Sequence, residues 1–430
     1  MPNINAQDTT RNWHDSIRSS RKKLLLAKLL MILGGLLIGC LIAEIVLRVI
    51  GYSYPIFYTI DYYRGYVPRP GIEGWFWVEN KTYIRINSAG LRDREHFKTK
   101  PANTVRIAVL GDSFAEARQV AMEQTFWTVM EQSLQQCRAF AGKKVEVLNF
   151  GIGGYGTAQE LLTLRQQVWD YSPDIVLLAV TTYNDIIDNY RPLKQTEEIP
   201  YFTYQDGQLV YDASFRDSPT YRWQASKLNK FGRWLRDHVR FIQLAHHAHF
   251  TIRTGIASWR SQNQASQSQQ DAQATRNPRA LNNKAVAEEI GVNNLIYRVP
   301  DDDTWNEAWR VTEGLIVQMR DEVRQRGAKF LFVTVSTDIQ VWPDKAARQA
   351  FMRRAGVDDL FYPNLRLKAL AERESIAFLD LAQPMQAYAD QNRVFLHGFG
   401  REIGNGHWNE AGHRLAGQLI TQRLCEGGAD

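Results

Sequence analysis

Val105-Arg106-Ile107-Ala108-Val109-Leu110 runs into Gly111-Asp112-Ser113-Phe114, and this stretch decides the fold. A short run of β-branched and apolar residues closed by a turn reads as a strand buried on both faces of a parallel sheet. The run stops at Gly-Asp-Ser, and a helix is expected from about Ala115. A serine hydroxyl is thereby carried to the carboxyl end of a first strand. In open α/β sheets that edge is where ligands and chemistry gather.

Outward from this stretch, strand and helix patterns alternate, as expected of a parallel sheet covered on both faces. A helix is expected over 115–140 and a strand over 144–148. A glycine-rich turn follows, Gly151-Ile152-Gly153-Gly154-Tyr155-Gly156, then a helix over 158–170. The strand at 175–180 ends in Thr181-Thr182-Tyr183-Asn184-Asp185. An amphipathic helix over 304–326, capped by Asp303 or Thr304, leads into a fourth strand from Lys329 to Val335. The pattern closes with a fifth strand over 377–381 and a last helix over 409–425.

At 430 residues, 44% hydrophobic and 11% aromatic, the chain has the composition of a folded core with additions. The net charge of +6 is mild, and Arg11, Arg18, Arg21, Lys22 and Lys23 are all gathered ahead of one apolar run. No basic stripe interleaves with aromatics, so nucleic acid is not an expected partner. The apolar run, 24–50, is long enough to span a bilayer, and Lys28 can snorkel toward the basic flank. By the positive-inside rule the amino terminus stays cytoplasmic and the rest lies outside, periplasmic or extracellular. A minority reading takes Leu37-Ile38-Gly39-Cys40 as a lipoprotein cleavage box, but Leu41-Ile42-Ala43 continue the span. The other cysteines, Cys137 and Cys425, each fall near a helix end. The first and last helices of such a sheet often lie side by side, so a disulfide between them is open, but two free thiols are the expectation because sequence does not show Cα atoms within roughly 7 Å.

The expected organisation is a basic segment 1–23, a signal anchor 24–50, an aromatic-rich strap 51–104 and a catalytic domain 105–425. Within the strap, Tyr83-Ile84-Arg85-Ile86 alternates like a strand and Asn87-Ser88-Ala89-Gly90 turns. The strap's aromatics can pack on the domain, sit at headgroup level or line a sugar-binding surface. An insertion over 191–302 is too long for an ordinary connection. Its middle, 234–259, is a basic amphipathic helix that suits either anionic headgroups or a cleft lid. Its end, 261–283, is rich in Gln, Ser, Asn and Ala and reads as disordered or a mobile linker.

Four pieces carry chemistry: Ser113, the Gly153-Gly154 turn, Asn184 and His407. Ser113 can act as nucleophile once a base accepts its proton, and His407 is the natural base, histidine being the side-chain type suited to proton transfer near neutral pH. The N–H groups of Ser113 and Gly154, with the Asn184 amide, can hold an oxyanion, each donor being worth about 3 kcal/mol of barrier. His413 is expected to pack at the start of the last helix. His246, His247 and His249 lack the partners of a metal site.

In these blocks the chain resembles the SGNH (GDSL-type) serine hydrolases. Leu110-Gly111-Asp112-Ser113-Phe114 matches the serine block and Asn149-Phe150-Gly151-Ile152-Gly153-Gly154 the glycine block. Tyr183-Asn184-Asp185 matches the asparagine block, and His407-Trp408-Asn409-Glu410-Ala411-Gly412-His413 the histidine block. The resemblance implies a flavodoxin-like three-layer α/β/α sandwich with a five-stranded parallel sheet. Here it would carry an N-terminal transmembrane helix and a mainly helical insertion. It also implies ester hydrolysis or acyl transfer, no metal and no organic cofactor. The substrate would be an acyl ester on an envelope glycan or a lipid. An α/β-hydrolase elbow is a poor alternative, because Ala115 stands where it needs glycine. One departure matters. The family has an aspartate three residues before its histidine, and this chain has Gly404, with Asn405 beside it and Glu402 upstream. Replacing such an acid by an amide costs about 10⁴-fold in a serine protease. A Ser-His dyad, Glu402, another carboxylate or an inactive glycan-binding protein all remain open, as does an O-acyltransferase.

Overall fold

The computed structural model describes residues 6–253, 256 and 291–427, with backbone alone over 6–22. The expected linker 261–283 lies outside the described residues. The chain divides into two units, 1–54 with 232–260, and 55–231 with 261–430. In the first, helix α1 (Ala6–Val49) contains a segment, Lys23–Val49, long and apolar enough to cross a membrane. Its leucines and isoleucines are exposed, with Leu47 near its end as the buried exception. Cys40 is a free, exposed cysteine on it.

The second unit starts with two antiparallel hairpins, β1 (Tyr58–Asp61) with β2 (Gly65–Pro68) and β3 (Glu73–Phe76) with β4 (Thr82–Arg85). The strap is thus more regular than its composition suggests. Phe57, Phe76, Ile84 and Ile86 give it a small buried core of its own. β5 (Thr104–Gly111) follows and is buried at every position. The charged residue within it is fully satisfied: the Arg106 guanidinium pairs with Glu146 at 2.9 Å and donates to four carbonyls, as a buried charge requires.

The remaining sheet strands are β6 (Lys144–Asn149), β7 (Ile175–Thr181), β10 (Lys329–Val335) and β11 (Ala377–Asp380). The insertion supplies β8 (Tyr201–Gln205) and β9 (Gln208–Asp212), an antiparallel hairpin absent from the expectation. All five sheet strands are parallel, in the order β6-β5-β7-β10-β11. Numbered along the sheet this is 2-1-3-4-5, the flavodoxin-like arrangement.

Alternate residues of each strand feed two apolar layers. Leu110, Val176 and Phe332 point into one, with α3 (Thr157–Gln166), α4 (Asp303–Gln325) and α5 (Tyr362–Arg373). Val109, Leu177 and Val333 point into the other, with α2 (Phe126–Leu134), α6 (Ala382–Asn392) and α7 (Glu410–Gly427). The cap of α4 is Asp302, which accepts from the Trp305 N–H, rather than Asp303 or Thr304.

Two expectations are corrected here. The helix over 115–140 is broken. Ser113–Glu116 is a single turn that ends at Ala117, in the left-handed region at φ 55°, and α2 begins only after a Thr125 cap. The buried Arg92 guanidinium takes the Glu116, Ala117 and Val120 carbonyls that a continuing helix would have used. Cys137 and Cys425 are joined in a disulfide, with Cα atoms 5.8 Å apart, because α2 and α7 lie side by side in one layer.

Candidate active site

β5, β6 and β7 are neighbours, so the turns beyond their carboxyl ends share one edge of the sheet. Ser113 lies beyond β5, the Gly153-Gly154 turn beyond β6 and Asn184 beyond β7. The Asp112 carboxylate accepts the Phe114 N–H at 2.9 Å and so caps the turn that presents Ser113.

Ser113 Oγ lies 2.8 Å from His407 Nε2. His407 Nδ1 lies 2.7 Å from Glu79 Oε1, and the His407 backbone N–H donates to Glu79 Oε2 at 3.1 Å. A carboxylate can only accept, so Nδ1 carries the ring proton and Nε2 is left to accept from the serine hydroxyl. Glu79 stands in the β3–β4 turn, 328 residues from its partner. Burial by itself would raise its carboxyl. The hydrogen bonds and charge of His407 outweigh that and hold it below the usual carboxylate value.

The turn is pinned just after Glu79. Asn80 Nδ2 and Thr82 Oγ1 both donate to the Gln119 carbonyl, at 2.9 and 3.1 Å. Across from it, Gly406 has φ +84° and a Cβ there would stand 2.9 Å from Glu79 Oε2. Gly404, where the hydrolases that the sequence resembles carry an aspartate, has φ +97° and a Cβ there would meet the Trp342 ring at 2.6 Å. The histidine loop therefore has room for an incoming carboxylate and none for a side chain of its own at 404. Glu402 is exposed in the Gly400–Glu402 turn. Glu79 was not among the residues singled out from sequence, and no local spacing marks it.

Asn184 donates from Nδ2 to Asp112 Oδ2 at 2.5 Å. One amide hydrogen is thus fixed, and an amide nitrogen has two. Burial pushes the Asp112 carboxyl up to about 6. The glycine turn is held from both sides by the first hairpin. Glu116 Oε2 accepts the Gly153 N–H at 2.7 Å and the Tyr58 hydroxyl at 2.5 Å, with Arg118 at 3.2 Å. Tyr66 donates to the Gly153 carbonyl at 2.9 Å. Gly154 has φ +80°, and a Cβ on it would stand 2.7 Å from the Tyr66 hydroxyl, so glycine is required twice over.

Behind His407, the His397 ring is buried. Its Nδ1 lies 2.6 Å from the Gly406 carbonyl, and burial pulls its pKa down to about 4. His413 is buried and stacked on Phe126, where burial depresses it strongly. His247 stacks on Tyr54, with ring centres 4.1 Å apart, in the other unit.

No protein-family model matches the chain, and no curated protein matches it. Among solved structures, 47 chains match. One is the acetyl xylan esterase AlAXEase, at 13% identity and TM-score 0.36, covering 74% of this chain and 100% of that one. Another is a catalytic mutant of an acetylxylan esterase from Geobacillus stearothermophilus, at 10% identity and TM-score 0.35, covering 76% and 96%. A third is a GDSL-like lipase from Bacteroides thetaiotaomicron, at 12% identity and TM-score 0.30, covering 74% and 87%. At such distances the functional reading rests on the geometry of the site itself.

Proposed function

We propose that this chain is a membrane-anchored serine esterase that works outside the cytoplasm on acylated glycans. The observation that carries the reading is the continuous relay Ser113–His407–Glu79, with contacts of 2.8 and 2.7 Å. Ser113 Oγ attacks the ester carbonyl carbon while its proton passes to His407 Nε2. The N–H groups of Ser113 and Gly154, with the free hydrogen of the Asn184 amide, receive the charge that develops on the carbonyl oxygen. The ester C–O bond then breaks, and His407 returns the proton to the leaving alcohol. Water repeats the sequence and frees the acid. Glu79 fixes the imidazole tautomer and stabilises the imidazolium, the role of the acid in such triads. The missing aspartate thus ceases to argue for an inactive site.

Support for a glycan comes from the hairpin that carries Glu79. Its Trp77 and Tyr83 are exposed, and Tyr83 meets Trp75 edge to face. The Lys81 amine stands over Trp75 and Trp77 at 4.6 and 4.5 Å. A hollow of about 470 Å³ beside them is lined by Trp75, Lys81, Tyr83, Arg85 and Glu123. Flat rings with polar groups between them suit a sugar face better than an acyl chain. The anchor reading rests on Lys23–Val49 and the basic residues before it.

The test is turnover of p-nitrophenyl acetate and of an O-acetylated oligosaccharide by the full-length protein in detergent, beside Ser113→Ala and His407→Ala. Acid released from both substrates by the wild type and by neither variant supports the reading. Acetyl moved to an added sugar in preference to water would make the chain a transferase using the same relay. A Ser113 that neither turns over nor takes a fluorophosphonate would sink the esterase.

A further inference from the structure

We propose that segment 232–253 is a second membrane-binding element, lying in the headgroup layer and taking anionic phospholipid. The inference rests on the reading of α1 as a membrane span. Residues 24–43 are 20 in number, and at about 1.5 Å per residue they match the ~30 Å hydrocarbon core. Glu44 is the first acidic residue of the 24–50 run, and the proposal places there the level where α1 leaves the hydrocarbon.

At that level the helix over 240–253 is attached. Glu44 accepts the Phe241 N–H at 2.9 Å, and Arg48, paired with Glu44 at 2.8 Å, donates to the His238 carbonyl at 2.6 Å. The chain leaving α1 continues the contact. The Tyr54 N–H donates to the buried Gln243 at 2.7 Å, and the Tyr52 hydroxyl meets His247 Nδ1 at 2.9 Å. The first turns of 240–253 are thus held in the polar layer just outside the hydrocarbon, within the unit that contains the span.

The faces of these helices suit that depth. Gln243 and His247 face the contact. Phe241, Leu244, Ala248 and Ile252 recur at helical spacing on the other side and are exposed, Ile252 at 63%. The end of the preceding helix that lies in this unit exposes Trp234, while Arg233 and Arg236 fall on another side. Segment 232–253 holds four Arg against one acidic residue, Asp237. An apolar face with a tryptophan and a cationic reverse is the pattern of a helix lying in an anionic interface. A cleft lid has no need of so one-sided a charge.

The experiment uses the full chain, with Cys40→Ser to leave no free thiol among the described cysteines. It is reconstituted in vesicles of phosphatidylcholine with or without phosphatidylglycerol. Nitroxide labels are placed through Trp234→Cys or Leu244→Cys, and their exposure to oxygen and to a water-soluble nickel chelate is compared. Leu33→Cys serves as the span reference and Phe97→Cys as the aqueous one. The expected result is intermediate depth at 234 and 244 in anionic vesicles. The oxygen-to-nickel ratio there should fall several-fold without phosphatidylglycerol, or with Arg233→Gln and Arg236→Gln combined. A deep label at 33 with aqueous values at 234 and 244 overturns the proposal. So does a label at 244 shielded from both reagents whatever the lipid, which is the behaviour of a lid. An aqueous label at 33 removes the span itself, a failure distinguishable from the other two.

Discussion

Glu79 is the residue on which the catalytic reading turns. It sits 2.7 Å from His407 Nδ1, and Glu79→Gln is expected to lower kcat for p-nitrophenyl acetate by about 10²–10⁴-fold with little change in KM. Glu402→Gln, at the carboxylate nearest in sequence to the missing aspartate, should leave kcat unchanged. Gly406→Ala should fall with Glu79→Gln, since its Cβ would intrude on the carboxylate at 2.9 Å and φ +84° strains any other residue. His397 sets a stability window. Its folded pKa, pulled down by burial to about 4, is below the unfolded value of about 6.5. Protons then favour the unfolded chain between those values. The stability of the neutral ring is present above pH 6.5 and lost as pH falls toward 4. The melting-temperature difference between wild type and His397→Gln should shrink over that interval, and a constant difference would refute the assignment.

Elements show how the site is braced. The β1–β2 hairpin reaches the glycine turn through Tyr58 and Tyr66. Tyr58→Phe removes one hydroxyl from Glu116 and is expected to lower kcat several-fold, as about 1 kcal/mol of a hydrogen bond implies. The disulfide between the end of α2 and the end of α7 closes a span of 288 residues. Cys137→Ser should destabilise the fold by about 2–4 kcal/mol, read as an earlier denaturant midpoint. The β8–β9 hairpin was legible in Gln205-Asp206-Gly207-Gln208, an Asp-Gly pair between two alternating runs. The break in the expected 115–140 helix was not legible, because its cause is the distant Arg92 taking carbonyls.

For the whole molecule the question is which side of the membrane the site faces. If α1 is a signal anchor, the chain should remain with membranes through an alkaline carbonate wash. A membrane-impermeant maleimide should then label Phe97→Cys in intact cells, while a thiol placed in 1–23 reacts only after lysis. The opposite labelling would put the site in the cytoplasm.

The buried strands and the turn blocks that hold Ser113, Gly154, Asn184 and His407 were legible in the sequence. They depend on local periodicity and on turn chemistry, which are written within a few residues of each position. The apolar run of 24–50 was legible for the same reason. The acid of the relay, the Cys137–Cys425 bridge and the seating of 240–253 on the end of α1 were decided only by tertiary structure. Each joins residues from 190 to more than 300 positions apart. Such pairs leave no mark in local pattern, because a carboxylate, a thiol or a histidine looks the same to its neighbours whichever partner the fold brings.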